Sequence, residues 1–279
     1  MKKAEPKYKV NELCRVFGIS LSSYYYKPVT ASLEEINLMT LIKSISVDSG
    51  NTYGRRRVHV ELTEQGHVIG VHKTAYLMEK LNIKAIRPKK RHYYPTSGKE
   101  HKYAPNLLKR QFNPASVNTH WVGDITYLKT HQGWSYLACV LDLSTKEIIG
   151  YALSQTPDAA LANEALLIAI SRQKPNTNKL MFHSDQGVQY SAKVFRDKLT
   201  QLNITQSMSR RGNCWDNAVM ERFFRSLKTE RLNPLSFINH KSVVNEVENY
   251  IRFYNYKRRH SGVEYMTPHQ KYNELKKVA

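Results

Sequence analysis

The order of its apolar patterns constrains this chain most. Three runs rich in β-branched and aromatic residues, at 121–128, 134–143 and 147–153, are separated by His131-Gln132-Gly133 and Ser144-Thr145-Lys146. Period-two apolar runs joined by short polar turns read as an antiparallel meander. A stretch at 159–171, apolar on several sides, predicts a buried helix, and 180–184 reads as a strand ending at Asp185. A helix near 191–202, a short strand at 204–208 and a last helix near 215–231 complete the pattern. A strand series interleaved with helices requires an α/β fold, a mixed five-stranded sheet packed by helices.

The flanks have a different texture. Residues 9–27 suggest two short helices, with Val10, Leu13, Cys14 and Phe17 on one stripe, Gly18 at the turn and Ser20 as a cap. A helix-turn-helix and a plain helical hairpin both fit. A helix near 34–45 follows, and Tyr53-Gly54-Arg55-Arg56-Arg57 opens a helical pair broken at Gly66. From Lys84 the periodicity fades into Arg87-Pro88-Lys89-Lys90-Arg91 and a Tyr-Pro-Gly segment, which reads as an extended basic linker. The expected organisation is a helical, helix-turn-helix-like DNA-binding region at 1–83, a linker at 84–112, an α/β core at 113–231, and a basic, Tyr-rich C-terminal helical segment at 232–279.

Charge supports that division. The chain carries a net +20, with +12 in residues 1–112, +3 in 113–230 and +5 in 231–279. A nearly neutral middle between basic arms suits a catalytic core with DNA-gripping flanks, because phosphate neutralisation dominates nucleic-acid affinity. Candidate DNA contacts are Arg55, Arg56, Arg57, Lys73, Lys89, Lys90, Arg91, Arg222, Arg225, Lys228, Arg258 and Arg259. Three scattered cysteines form no Cys-x-x-Cys pair, so neither a disulfide framework nor a zinc site is supported. No apolar run approaches the roughly 20 residues of a membrane span, and a cytoplasmic, nucleoid-associated protein is expected.

Three carboxylates stand out. Asp124 interrupts an apolar strand, Asp185 ends another, and Glu221 lies on the last helix. At about 100° per residue, Val219, Phe223 and Leu227 share one helix face, while Glu221, Arg225 and Lys228 share the opposite one. Oxygen ligands of this kind suit Mg²⁺. Paired ions roughly 4 Å apart clamp the attacking and leaving oxygens of a phosphodiester displacement. The strand–helix order is also that of an RNase H-like domain.

The motifs Trp121-Val122-Gly123-Asp124-Ile125-Thr126-Tyr127, His183-Ser184-Asp185-Gln186-Gly187-Val188-Gln189-Tyr190, and Ser207 through Cys214-Trp215-Asp216-Asn217 to Glu221-Arg222-Phe223-Phe224 make the chain resemble IS3-type insertion-sequence transposases. More distantly, it is similar to retroviral integrases. Between Asp185 and Glu221 lie 35 residues, the spacing of the family's D,D-35-E signature, and Lys228 lies seven after the Glu. Tyr254-Asn255, Arg258, His260-Ser261, Tyr265 and Thr267-Pro268 extend the match. The resemblance implies that Asp124, Asp185 and Glu221 hold two Mg²⁺ ions, with Mn²⁺ as a substitute. It implies cleavage at the ends of an insertion sequence, followed by strand transfer with the freed 3′-hydroxyl. It also implies terminal inverted repeats and target DNA as partners, a homo-oligomer on DNA, and a small upstream helix-turn-helix protein of the same element. A catalytically inactive DNA-binding regulator and a structure-specific nuclease are the alternative readings.

Two further acids are expected to be structural: Asp142 as an Asx turn with Ser144 and Thr145, and Asp216 as support for the last helix's N-terminus. Asn213 and Asn217 are expected to orient the loop or touch DNA, and His183 to pack near the second Asp.

Overall fold

The computed structural model describes residues 8–27, 31–87, 103–210 and 214–278. Five helices come first: α1 (Val10–Val16), α2 (Leu21–Tyr25), α3 (Leu33–Asp48), α4 (Arg55–Glu64) and α5 (Val71–Lys80). Ser20 caps α2 by accepting from the Ser23 N–H, and Ser32 caps α3 through Glu35 N–H. Leu38, Ile42, Val58, Leu62, Leu77 and Met78 bury the inner faces of α3, α4 and α5 against one another. The α4–α5 pair expected from the arginine run is therefore two helices of a three-helix unit.

Five strands form the sheet: β1 (His120–Thr130), β2 (Gly133–Asp142), β3 (Ile148–Ser154), β4 (Met181–Ser184) and β5 (Thr205–Met208), in the order β3-β2-β1-β4-β5. The first three are antiparallel neighbours, and β4 and β5 add on in parallel to β1. Between them run α6 (Ala159–Gln173), α7 (Val188–Ser191) and α8 (Lys193–Gln201). Alternation then assigns two cores. Trp121, Ala138 and Val140 face α6 and α8, while Val122, Cys139 and Leu141 face the other side. Gly150 is the point of closest approach, since a Cβ there would lie 2.3 Å from the Ala165 carbonyl oxygen of α6.

The last helix of the core, α9 (Ala218–Leu227), is preceded by a 3₁₀ turn at Cys214–Asn217 and followed by a π-helical turn at Lys228–Leu232. The regular helix is thus shorter than the 215–231 stretch read from the sequence, and both ends change their pitch. Two long C-terminal helices follow, α10 (His240–Tyr256) and α11 (Pro268–Val278). Val243, Val247, Tyr250, Ile251 and Tyr254 of α10 share one core with Phe223 and Leu227 of α9. The core therefore continues past residue 231, and Phe253 joins it to the three-helix unit.

Long-range ion pairs fasten the same junction. Arg259 donates through Nε to Glu61 (2.8 Å) and through its NH1 group to Glu64 (2.6 Å), both on α4. Arg258 grips Glu230 with Nε at 2.7 Å. Asn255 donates to the Ile148 carbonyl (2.8 Å) and accepts from its N–H (2.9 Å), closing the irregular start of β3.

Candidate active site

Asp124 and Asp185 are brought together by strand register. β1 and β4 pair in parallel with Gly123 opposite Ser184, so the next residue of each strand is an aspartate at the same level. Gly123 stands where a Cβ would come within 2.4 Å of the Phe182 ring, which lets β4 approach β1 there. Asp124 Oδ1 accepts from the Ile125 N–H (2.8 Å), and Asp185 Oδ1 accepts from the Gly187 N–H (2.9 Å). A Cβ on Gly187 would sit 2.9 Å from that same oxygen, so glycine keeps the Asp185 carboxylate's cradle open.

The three acids lie within reach of one another's charge. Burial, then Asp185, then Glu221 push the Asp124 carboxyl well above the usual carboxylate range, while Lys228 pulls it back. Burial raises Asp185 as well. Glu221, in the first turn of α9, is raised by desolvation and then by Asp185. Its side chain is exposed and the two aspartates are half-buried. Crowded carboxylates that raise one another's proton affinity are a donor set wanting cations. Among the described residues, no three such groups stand close enough to enclose an ion in the positions they take here. The donor chemistry fits a hard divalent cation.

The neighbours divide by role. His183 is buried, with Nδ1 2.8 Å from Ser207 Oγ and Nε2 3.2 Å from Ser209 Oγ, so it fastens β4 to the end of β5. Burial pushes its imidazole down to about 4 and keeps it neutral. Asn217 reaches the Gly123 carbonyl at 3.5 Å, and its buried Oδ1 has no hydrogen-bond partner among the described residues. Asp142 accepts from the N–H groups of Asn118 (2.6 Å) and Ser144 (2.8 Å), the structural turn expected of it. Asp216 does more than support a helix N-terminus: it accepts from Asn106 (2.8 Å), Arg110 (2.9 Å) and the Arg210 N–H (3.1 Å). It ties the segment entering the core to the loop before α9.

Among the described residues, the expected DNA contacts differ in exposure and in how far their charge is already engaged. Arg258 and Arg259 are corrected: both are buried and spent on Glu230, Glu61 and Glu64, so they serve as internal braces. Lys73 pairs with Glu35 at 3.5 Å beside Lys80 at 2.8 Å. Arg55 and Arg56 are exposed and, with Arg57, Lys84 and Arg87, line an open cleft of 940 Å³ along α4 and α5. Arg222 and Arg225 are exposed on α9, and Lys228 stands in the π turn within reach of Asp124's charge. Lys89, Lys90, Arg91 and Asn213 lie outside the described residues. Unforeseen was Lys146, whose ammonium donates to the Phe112 and Leu143 carbonyls and to Asn113 Oδ1. It closes a polar turn with a positive φ of 61°, a conformation that nothing about a lone lysine signals.

His260 gives a pH prediction. Burial and the cations Arg258, Lys146, Arg57 and Arg222 push its imidazole from 6.5 down to about 3. The unfolded chain therefore takes up this proton first as pH falls, so stability present above pH 6.5 is lost toward pH 3. Its share is about 3 kcal/mol between pH 6.5 and about 4. Urea midpoints of His260→Asn should fall less steeply across that window; a slope equal to the parent's contradicts the assignment.

Comparison with known proteins follows this geometry. Two models described as integrase core domain match residues 114–214 and 202–268, and one described as HTH-like domain matches residues 32–91. The "Insertion element IS600 uncharacterized 31 kDa protein" of Shigella sonnei is 37% identical over 273 residues, covering 94% of this chain and 99% of its own. "Transposase InsF for insertion sequence IS3A" of Escherichia coli K12 is 33% identical, covering 97% and 96% respectively. Among solved structures, the magnesium complex of the HTLV-2 integrase catalytic core domain aligns with a TM-score of 0.45 at 18% identity, over 56% of this chain and 96% of that one.

Proposed function

The chain belongs to the IS3-type insertion-sequence transposases, and on that premise we propose that Asp124, Asp185 and Glu221 are its metal-holding catalytic residues. A DDE-type DNA transposase with an integrase core and an HTH-like region binds DNA. The observation that carries the residue assignment is the parallel register of β1 and β4, which sets two aspartates side by side under α9. Divalent cations held there would supply Lewis-acid activation of the attacking and leaving oxygens at phosphorus.

The chain's own groups do the rest. Asp124 is fixed within β1 and Asp185 just past the end of β4, each by a backbone hydrogen bond, so their oxygens are preorganised. Glu221 closes the set from a helix that Phe223, Phe224 and Leu227 anchor in the core. Lys228, beside Asp124, and Arg222 and Arg225, on the exposed side of α9, neutralise the phosphates of the strand being cut. The exposed Arg55 and Arg56 at the start of α4 contact the terminal inverted repeats; of the basic linker expected at 84–112, the part around Leu108 and Phe112 packs into the core instead. Action as a homo-oligomer, assisted by a small upstream helix-turn-helix protein, completes the proposal. Among the described residues no helix is long and apolar enough to cross a membrane.

A strand-transfer assay on duplexes carrying the element's ends tests this reading. Joined product that needs Mg²⁺ or Mn²⁺ is the expected result. Salt-sensitive binding with no metal-dependent cleavage would favour a regulator, and cutting of branched DNA without joining would favour a nuclease.

A further inference from the structure

The motif from Tyr254 to Ser261 takes no part in the catalytic proposal, yet it walls a pocket of its own. Between α4, α9 and this motif lies a space of 380 Å³ lined by four cations, Arg57, Lys146, Arg222 and Arg258, and by no carboxylate. Two of the four are already satisfied. Lys146 is held by three oxygens, two carbonyls and Asn113 Oδ1. Arg258 is locked on Glu230, whose Oε2 also accepts from the Tyr250 hydroxyl at 2.8 Å.

Arg57 and Arg222 differ. Among the described residues neither has a hydrogen-bonded or ion-paired partner. Arg57 rests on the Tyr53 ring, 5.4 Å from its centroid, and feels the like charge of Arg258, offset in part by the Glu230 carboxylate that Arg258 already holds. His260 adds a neutral donor, because its Nδ1 accepts from the Gly262 N–H at 3.1 Å and the ring proton therefore sits on Nε2. Like charges gathered in a recess are costly without a counterion. Guanidinium forks bind phosphate oxygens in a bidentate geometry, as they do carboxylates, and DNA presents phosphates.

Resting on the reading of this chain as a DNA-joining enzyme, we propose that the pocket is a phosphate site. It holds one phosphodiester of the DNA backbone on Arg57, Arg222 and the Nε2–H of His260. Arg222 directly follows Glu221 on α9, so a strand gripped here is anchored beside the carboxylate triad and bridges the helical unit to the core.

Thermal melting of the full chain in inorganic phosphate, against chloride at equal ionic strength, tests the site. At about 20 mM phosphate a rise near 3 °C is expected. It should vanish in Arg57→Gln and in Arg222→Gln, and also when the parent is saturated with duplex DNA of unrelated sequence. Arg222 is exposed, so its variant folds whatever becomes of the other. A rise that chloride matches, or that survives in both variants, overturns the site. A rise that survives saturating DNA overturns the backbone assignment in favour of free phosphate. Strand transfer read on the same samples separates the two proposals, since absent joining with intact phosphate binding sinks only the catalytic one.

Discussion

Replacing Asp185 with asparagine or Glu221 with glutamine should lower strand transfer at least about a thousandfold, while the protein stays folded. The loss exceeds the 10–100-fold typical of removing groups that merely orient a metal's ligands, because a neutral amide withdraws a donor charge from the ions themselves. Asp124→Asn should behave alike. Each substitution keeps shape and removes one charge from a set whose three carboxyls are raised by burial, Asp124 and Glu221 also by the Asp185 charge. Melting temperature without metal should therefore hold or rise, the usual trade of an active site built against stability. DNA binding in EDTA should change little, because the phosphate contacts lie on the cations. Variants that keep parental joining rates would remove these residues from the chemistry, and variants that lose joining only by unfolding would leave the question to the melting curves.

Gly150→Val should cost about 3 kcal/mol or more and leave much of the chain insoluble. The residue lies on β3 under α6, where a Cβ would sit 2.3 Å from the Ala165 carbonyl and 2.7 Å from the Ala169 N and Cβ. None of these atoms belongs to a flexible side-chain end, so the added carbons must lift the helix from the sheet. Leu161, Leu166 and Ala169 would lose their packing on Ala138 and Val140. Gly70→Ser is the matched control. Gly70 caps α5 without a side-chain acceptor, its φ of −84° suits any residue, and no atom lies within 4 Å of a Cβ there. Its stability should change by less than about 0.5 kcal/mol. Equal urea midpoints for Gly150→Val and the parent would mean that α6 does not ride on β3 as described.

The centre of the molecule was legible because its information is local. The alternation at 121–128 and 134–143 specifies β1 and β2, and their turns allow only antiparallel pairing. The three acids could be named from the sequence, whereas the parallel register that unites two of them is a long-range fact. What escaped depends on partners far along the chain. A basic run reads the same whether solvated or paired, so Arg258 and Arg259 looked like DNA contacts until Glu230, Glu61 and Glu64 were found opposite them. α10 was foreseen only as a helical segment. Its apolar face mixes Val243, Val247 and Ile251 with Tyr250 and Tyr254, whose polar tips obscure the stripe. The changes of pitch around α9 left no periodic trace, because a 3₁₀ and a π turn each span only a few residues.

Anomalous diffraction from crystals grown with Mn²⁺ addresses the catalytic triad most directly. Strong peaks bounded by the carboxylates of Asp124 and Asp185, with Glu221 swung inward to meet them, are the expected result. Manganese that binds elsewhere, or that leaves this recess empty while the crystals remain isomorphous, contradicts the assignment.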